Sequence, residues 1–580
     1  IDRILASADL TFHIIDGLTL KVSGGADMSN ASREVYEPKE TYRGYNANGI
    51  AEQQSRRSSS YSNENVLTYI KKIGQHSLNV MVGSSLLYEE NKTGSMTARD
   101  FISDVYGFNN LDAGAQWDKP NTGRSKSTLL SGFGRINYVL MDKYLFTVTG
   151  RADGSSKFGA NNKWAFFPSF AAAWRINQEK FMKNIDWISN LKIRGSWGVT
   201  GNQNIPAYSS PEKMNTYTYP IGGVTSVGIG AGNMPNPDLK WETTAITDIG
   251  IDLGVFNNRI NFTADYYYKK TTDLLWNISV PLTTGFGTVL KNIGSLQNKG
   301  LELSLSADVL TGPFKWNTML NWSTNKNKVL EIPGYIPTQQ GTISGHLKVN
   351  GSWLEPGLPV GVWNLLKTNG VMRTEKEWQD AARVADSNFD KIGDMSFVDK
   401  NGDGKISFGE DRQIVGDPNP DFIFGWTNNF SYKNFDLSVY INGSVGNDIY
   451  NVLRAETNIV SAWGNQRAEV KDRWTANNPN GKYPRAHVLV NQNLLQSDYL
   501  IEDGSFLRIQ NVTLGYTFPK VSFLRSLRIY VTAQNLLTIT GYSGYNPEVN
   551  SQGQSNLQLG VDYNAYPTAR SFILGVNIGF

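Results

Sequence analysis

Residues 571–580 read Ser571-Phe-Ile-Leu-Gly-Val-Asn-Ile-Gly-Phe580. Phe572, Leu574, Val576, Ile578 and Phe580 share one parity; Ser571, Ile573, Gly575, Asn577 and Gly579 share the other. Successive strand side chains point to opposite faces, so one face is wholly apolar and the other mostly small or polar. Such a strand has lipid on one side and a wet lumen on the other, or else lays its apolar face on a protein core in a sandwich. On these ten residues alone both remain open. A terminal aromatic, Phe580, favours the closing strand of an outer-membrane barrel.

The same alternation recurs along the chain. Leu10–Ile15 and Leu18–Ser23 flank Asp16-Gly17, a two-residue hairpin signal. Asn65–Lys72 and Ser77–Leu86, Leu129–Leu140 and Tyr144–Arg151, Ile246–Val255 and Ile260–Lys269, and Phe430–Tyr432 and Phe435–Gly443 are paired in the same way across short turns. Leu437, Val439 and Ile441 oppose Asp436, Ser438, Tyr440 and Asn442, while Leu527, Ile529 and Val531 oppose Arg528, Tyr530 and Thr532. An Asp or Arg on the inner face is costly in a dry core and comfortable against water. With 580 residues only 40% hydrophobic, the chain contains no apolar run of roughly 18 residues, which excludes transmembrane helices.

Short turns alternate with long polar excursions, Ala26–Asn63, Asn91–Lys126, Asn202–Lys240 and Pro333–Pro420, as expected of tight turns on one rim and long loops on the other. Tyr266-Tyr267-Tyr268, Trp164 with Phe166-Phe167, and Trp316 with Trp322 suit aromatic girdles. The predicted architecture is all-β, a transmembrane antiparallel β-barrel spanning 1–580 in part. Residues 333–420 form its longest extracellular loop. Thr374 to Glu377 has capping-box spacing and opens a predicted helix over 374–384.

Chemistry is sparse. A net charge of +3 gives no reason to expect nucleic acid, and the absence of Cys leaves no disulfide or thiolate site. The four His have no metal-ligand spacing. No serine elbow, phosphate loop or dinucleotide fingerprint is present, so no catalytic residue is assigned and no enzyme is expected. Exposed loop aromatics, Trp353, Trp363, Tyr542 and Tyr545, are candidates for stacking on sugars or peptide side chains, with loop packing as their plainer role. The exception is residues 399–410, which fit D-x-[DN]-x-[DN]-G-x5-E throughout. Asp399, Asn401 and Asp403 alternate toward an ion, Lys405 offers its carbonyl, Ser407 contributes directly or through water, and Glu410 closes bidentately around structural calcium.

Several blocks then resemble the SusC/RagA-like TonB-dependent outer-membrane transporters of Bacteroidetes. Arg151-Ala-Asp153-Gly-Ser-Ser-Lys157-Phe158-Gly, Trp164-Ala-Phe-Phe-Pro168-Ser and Ala173-Trp174-Arg175 look like one family signature. Leu191 to Gln203, Leu239-Lys-Trp-Glu242, Asn298-Lys-Gly300, Gly416-Asp-Pro-Asn-Pro420, Ser505-Phe-Leu-Arg508, Gln534-Asn535-Leu536 and Tyr566-Pro-Thr-Ala-Arg570 follow in family order. The resemblance implies the C-terminal part of a 22-stranded barrel in the bacterial outer membrane, touching outer-membrane lipid. It implies active import of oligosaccharides or peptides under a SusD-like surface lipoprotein lid, driven by TonB through a plug. The alternative is a surface glycan-binding or adhesion β-protein without transport.

One departure from the family pattern stands out. The plug and first strands are expected before Ile1, and only some 14 to 16 strand candidates are found. No signal peptide is legible in Ile1-Asp-Arg-Ile-Leu-Ala. A second polypeptide or an N-terminal part is therefore expected to supply the plug and remaining strands.

Overall fold

In the computed structural model, residues 571–579 form a strand whose partner is the strand 526–540. Leu527 lies opposite Ile578, Ile529 opposite Val576, Val531 opposite Leu574 and Ala533 opposite Phe572. Phe572, Leu574, Val576 and Ile578 are all exposed, Leu574 at 72%. Among the described residues no protein core covers this apolar face, so the sandwich is out and the face is one that lipid would cover.

The structure describes residues 1–332, 338–343, 349–459, 465–519, 523–551, 553 and 557–580. His346 and the start of the 333–420 segment lie outside the described residues. The chain divides into two compact units. Residues 1–178, 194–247 and 271–294 form the first, and 179–193, 248–270 and 295–580 the second. The first contains an antiparallel meander of β1 (Asp2–Ile15), β2 (Leu18–Glu37), β3 (Ile50–Ile73), β4 (His76–Phe101), β5 (Asn121–Leu140), β6 (Tyr144–Ser155) and β7 (Trp164–Arg175). Each strand pairs with the next. Strands β8 (Ile188–Asn202), β9 (Glu242–Val255) and β10 (Ile260–Thr272) carry residues of both units. The second unit contains a like meander of β11 (Ser295–Thr311), β12 (Phe314–Glu331), β13 (Phe422–Tyr432), β14 (Phe435–Val445), β15 (Phe506–Thr517), β16 (Ser526–Thr540) and β17 (Ser571–Gly579).

Short turns fall where the alternation predicts them. Gly17 has φ 77° in the β1–β2 turn, and Met141 and Asp142 both have φ 56° between β5 and β6. The long excursions are another matter. Ala26–Asn63 is not a loop: β2 runs on to Glu37, β3 begins at Ile50, and their ladder continues from Ala26 opposite Tyr61 to Glu37 opposite Ile50. Asn91–Lys126 likewise continues the β4–β5 ladder out to Ser95 opposite Asn121. About 9–11 tilted residues span a bilayer, and β3 has 24. Beyond the membrane both faces meet water, so stretches such as Ser55-Arg-Arg-Ser58 lose their alternation while backbone pairing persists. Asn202–Lys240 likewise holds a two-stranded hairpin, Met214–Ile221 with Val224–Ala231.

Inner polar residues are paired across strands. Arg528 on β16 donates to Asp436 on β14 at 3.0 Å and 2.5 Å, reaching over the intervening β15. Gly515 makes the reach possible, since a Cβ there would stand 2.5 Å from Arg528 Nη2 and 2.6 Å from Asp436 Oδ1. Gly515→Val is therefore expected to split the pair and to destabilise by about 1–3 kcal/mol through overpacking. A lower unfolding temperature of the heat-modifiable gel band of the full-length protein would register this, and an unchanged temperature would count against it.

Two girdle assignments need correcting. Tyr267, between the exposed Tyr266 and Tyr268, lies on the inner parity and its hydroxyl donates to Asn325 Oδ1 at 3.0 Å. Trp164 and Phe166 are exposed at 58% and 65%, but Phe167, on the opposite parity, is buried against Trp241 with ring centroids 5.5 Å apart. Phe167 belongs to a small core with Phe158, Ile205 and Leu239.

Candidate functional site

The inward residues of β11 to β14 meet in register to make a polar wall. Glu302 lies opposite Ser323 and Ser304 opposite Asn321. Asn321 in turn faces Gly425, and Gly425 faces Asn442. Tyr440, opposite Thr427, sits with its hydroxyl above Gly425, where the missing side chain leaves it room. This wall lines a cleft of about 830 Å³ whose other side is formed by the loop residues Pro418, Pro420 and Pro547 to Asn550.

Both loop segments are tied down. Asn419 Nδ2 donates to the Val360 carbonyl at 3.0 Å, and its Oδ1 accepts from Asn327 Nδ2 at 2.9 Å. Asp448 Oδ2 accepts the Asp417 backbone N–H at 2.8 Å. Burial, together with the nearby Asp417 and Asp503 carboxylates, lifts the Asp448 carboxyl above the usual carboxylate range. On the other segment Glu548 pairs with Arg508, which is only 4% exposed and also donates to Asn546 Oδ1 at 2.7 Å and Thr538 Oγ1 at 2.9 Å.

Above the cleft the three inter-strand segments 332–421, 446–505 and 541–570 are not independent loops. They share one core, in which Trp363, Leu365, Leu366, Tyr450, Leu494, Leu495, Leu500 and Val561 are buried together. Polar contacts fix it: Tyr450 donates to the Leu495 carbonyl at 2.5 Å, and Asp498 Oδ1 accepts from the Thr368 N–H and hydroxyl at 2.8 Å and 2.7 Å. Tyr542 donates to Asp562 at 2.7 Å. Burial pushes the Tyr450 and Tyr542 hydroxyls far up, and the Tyr499 hydroxyl up to about 12. Of the four loop aromatics, Trp353, Trp363 and Tyr542 are buried and structural, and Tyr545 alone is exposed.

The helix expected over 374–384 is shorter, Glu375–Asp380. Thr374 caps it and Glu377 closes the capping box, as the spacing predicts. It stops because Arg383–Val384 is drawn into a parallel pairing with Lys405–Ile406, where Val384 and Ile406 enter the shared core.

That pairing anchors the 399–410 loop. Asp399 accepts from the Gly402 N–H at 2.7 Å and the Gly404 N–H at 2.8 Å, and Asp403 accepts from the Lys405 N–H at 2.8 Å. Asn401 accepts from the Asp403 N–H at 3.0 Å and donates to Glu410 at 3.3 Å. Asp399, Asn401, Asp403 and Glu410 thus gather on one turn; Lys405 offers a backbone carbonyl from its strand, and Ser407 opens the next turn by accepting the Glu410 and Asp411 N–H groups. Among the described residues no three His, Asp or Glu side chains converge tightly enough to hold an ion by themselves. An ion here would draw on Asn401 and the Lys405 carbonyl as well. Asp411, one residue past the motif and fully buried, closes the loop instead, accepting from the Lys400 and Ser407 N–H groups at 3.0 Å and 2.7 Å. Nothing in the motif points to Asp411, because its partners are main-chain groups.

A family profile described as "TonB dependent receptor-like, beta-barrel" matches residues 2–405. The chain is 35% identical over 590 residues to TonB-dependent receptor P3 of Formosa agariphila, covering 100% of this chain and 58% of that protein. It is 32% identical over 610 residues to TonB-dependent receptor SusC of Bacteroides thetaiotaomicron, covering 99% and 55% respectively. The chain therefore spans just over half the length of these curated relatives. Its fold is similar to that of a chain in the RagAB peptide transporter structure, with TM-score 0.84 and 24% identity over 100% of this chain and 62% of that one.

Proposed function

This chain belongs to the TonB dependent receptor-like β-barrel family of the bacterial outer membrane, and from that premise we propose that it serves TonB-dependent import of oligosaccharides or peptides beneath a SusD-like lipoprotein lid. The observation that carries this is the polar cleft on the inward face of β11 to β14, held under a packed head while the outward parity is apolar. A fixed head offers a lid a firm seat, and a wet wall behind it offers a nutrient a path. The plug, the TonB-contacting segment and the remaining strands would come from the part of the relatives' length that this chain does not span, whether as an N-terminal part or a second polypeptide.

Deleting the gene should abolish growth on one oligomeric nutrient, and a strain lacking TonB should show the same defect. Surface binding that persists with growth intact would instead indicate an adhesin.

We also propose that the 399–410 loop takes calcium as a staple for the head. With free ion about a hundredfold above its dissociation constant, occupancy would stabilise that part by about 2.7 kcal/mol. Limited proteolysis of the full-length receptor between 399 and 411 should slow in calcium, quicken in EGTA, and lose this dependence in Asp399→Asn. Equal cleavage in calcium and EGTA would show a turn held by its own N–H groups.

A further inference from the structure

The charge of the cleft wall narrows the ligand. Asp265, Glu302 and Glu548 line it, and among the described residues no Lys, Arg or His does. Glu548 is engaged by Arg508, which is itself buried. Glu302 is exposed on the inner parity of β11 and makes no ion pair among the described residues. Further along the same strand wall, Asn442 Oδ1 is buried without a hydrogen-bond partner among the described residues. A buried acceptor left unmade is costly, so this oxygen lacks a donor that an occupant would bring.

Ring stacking points the same way. Sugar-binding walls rely on exposed aromatic faces. Here Trp322 and Phe424 lie on the outward parity, opposite Leu303 and Gly443 respectively, and Phe506 is buried under the Arg508 guanidinium at 5.2 Å. Among the described residues lining the cleft, Tyr440 is the one that offers a ring from the inner parity, while Pro418, Pro420 and Pro547 make the mouth aliphatic.

Building on the import reading, we propose that the cleft selects peptides carrying Lys or Arg side chains, with Glu302 as the counter-charge and Asn442 as an acceptor for the bound cation. Aliphatic stems lie along the prolines and the charged head reaches the acceptors. Acidic oligomers are disfavoured by the same field.

The test uses the full-length receptor in detergent with three probes: fluorescein-labelled Ala-Lys-Ala-Lys-Ala-Lys, its Glu counterpart, and maltohexaose. Anisotropy should show the Lys peptide binding at least about tenfold tighter than the Glu peptide, a preference that shrinks with salt. Glu302→Gln should remove most of the preference, and Asn442→Leu should weaken the Lys peptide alone, with gel mobility unchanged in both. Equal or tighter binding of the Glu peptide or maltohexaose, or a preference intact in Glu302→Gln, overturns the proposal. TonB-dependent uptake in cells separates the two layers. Uptake of maltohexaose without the Lys peptide sinks the peptide inference and leaves import standing, whereas no TonB-dependent uptake of any probe or nutrient sinks import itself.

Discussion

Trp363→Ala is expected to melt the packed head while leaving the strands folded. The ring is 1% exposed, lies 5.4 Å from the Tyr450 ring, and sits at the centre of a core drawn from three inter-strand segments. Truncating a buried Trp typically costs about 3–5 kcal/mol, a large share of what a core this small supplies. Its Nε1 makes no hydrogen bond among the described residues, so the loss is one of packing, and Trp363→Phe should recover most of it. In the Ala variant, protease should cut within 352–420 and 446–505, yet the heat-modifiable band should persist. Loss of the band together with the head would show that the two fold as one, and unchanged proteolysis would show that the core is not needed.

The second large effect separates neighbouring residues on one strand. Leu574→Arg puts a cation on the face of β17 that is exposed and apolar, at a cost of about 2–4 kcal/mol near the bilayer midplane. Ile573→Arg puts the same cation on the other face, beside Thr532, where water solvates it. The amount of folded receptor recovered from outer membranes should fall sharply for Leu574→Arg and stay close to wild type for Ile573→Arg. Equal losses would contradict the assignment of the two faces.

What the sequence made legible follows from where one face is wet and the other is not. Strands β14, β16 and β17 could be placed by parity, and the inner Asp436 and Arg528 proved to be partners. The capping box likewise located the start of the 375–380 helix but not its end, because pairing with Lys405–Ile406 overrides local preference. Where both faces meet water, as in Ala26–Glu37 and Ile50–Asn63, period-2 alternation disappears and strand looks like loop. The head was invisible for a different reason. Leu366, Tyr450, Leu495 and Val561 are scattered over three segments with no period linking them, and the Arg508–Glu548 tie joins residues 40 apart. The cleft depends on strand order and register, which no single segment encodes. The 399–410 residues were legible as a turn-forming set; the buried Asp411 that closes it was not.

The length of β2 to β5 has a mechanical consequence. β3 pairs with β4 through 24 consecutive residues, about 80 Å along the strand, of which a bilayer takes up less than half. A flap of loose chain bends under load; a ladder of this kind resists, because bending it strains many hydrogen bonds in series. The outer half of this wall behaves as a stiff beam cantilevered from the membrane. Whatever rests on its tip, near Glu37–Ile50 and Phe101–Gly114, is held at a set height, and a pull there is passed straight down to the strands instead of being absorbed on the way.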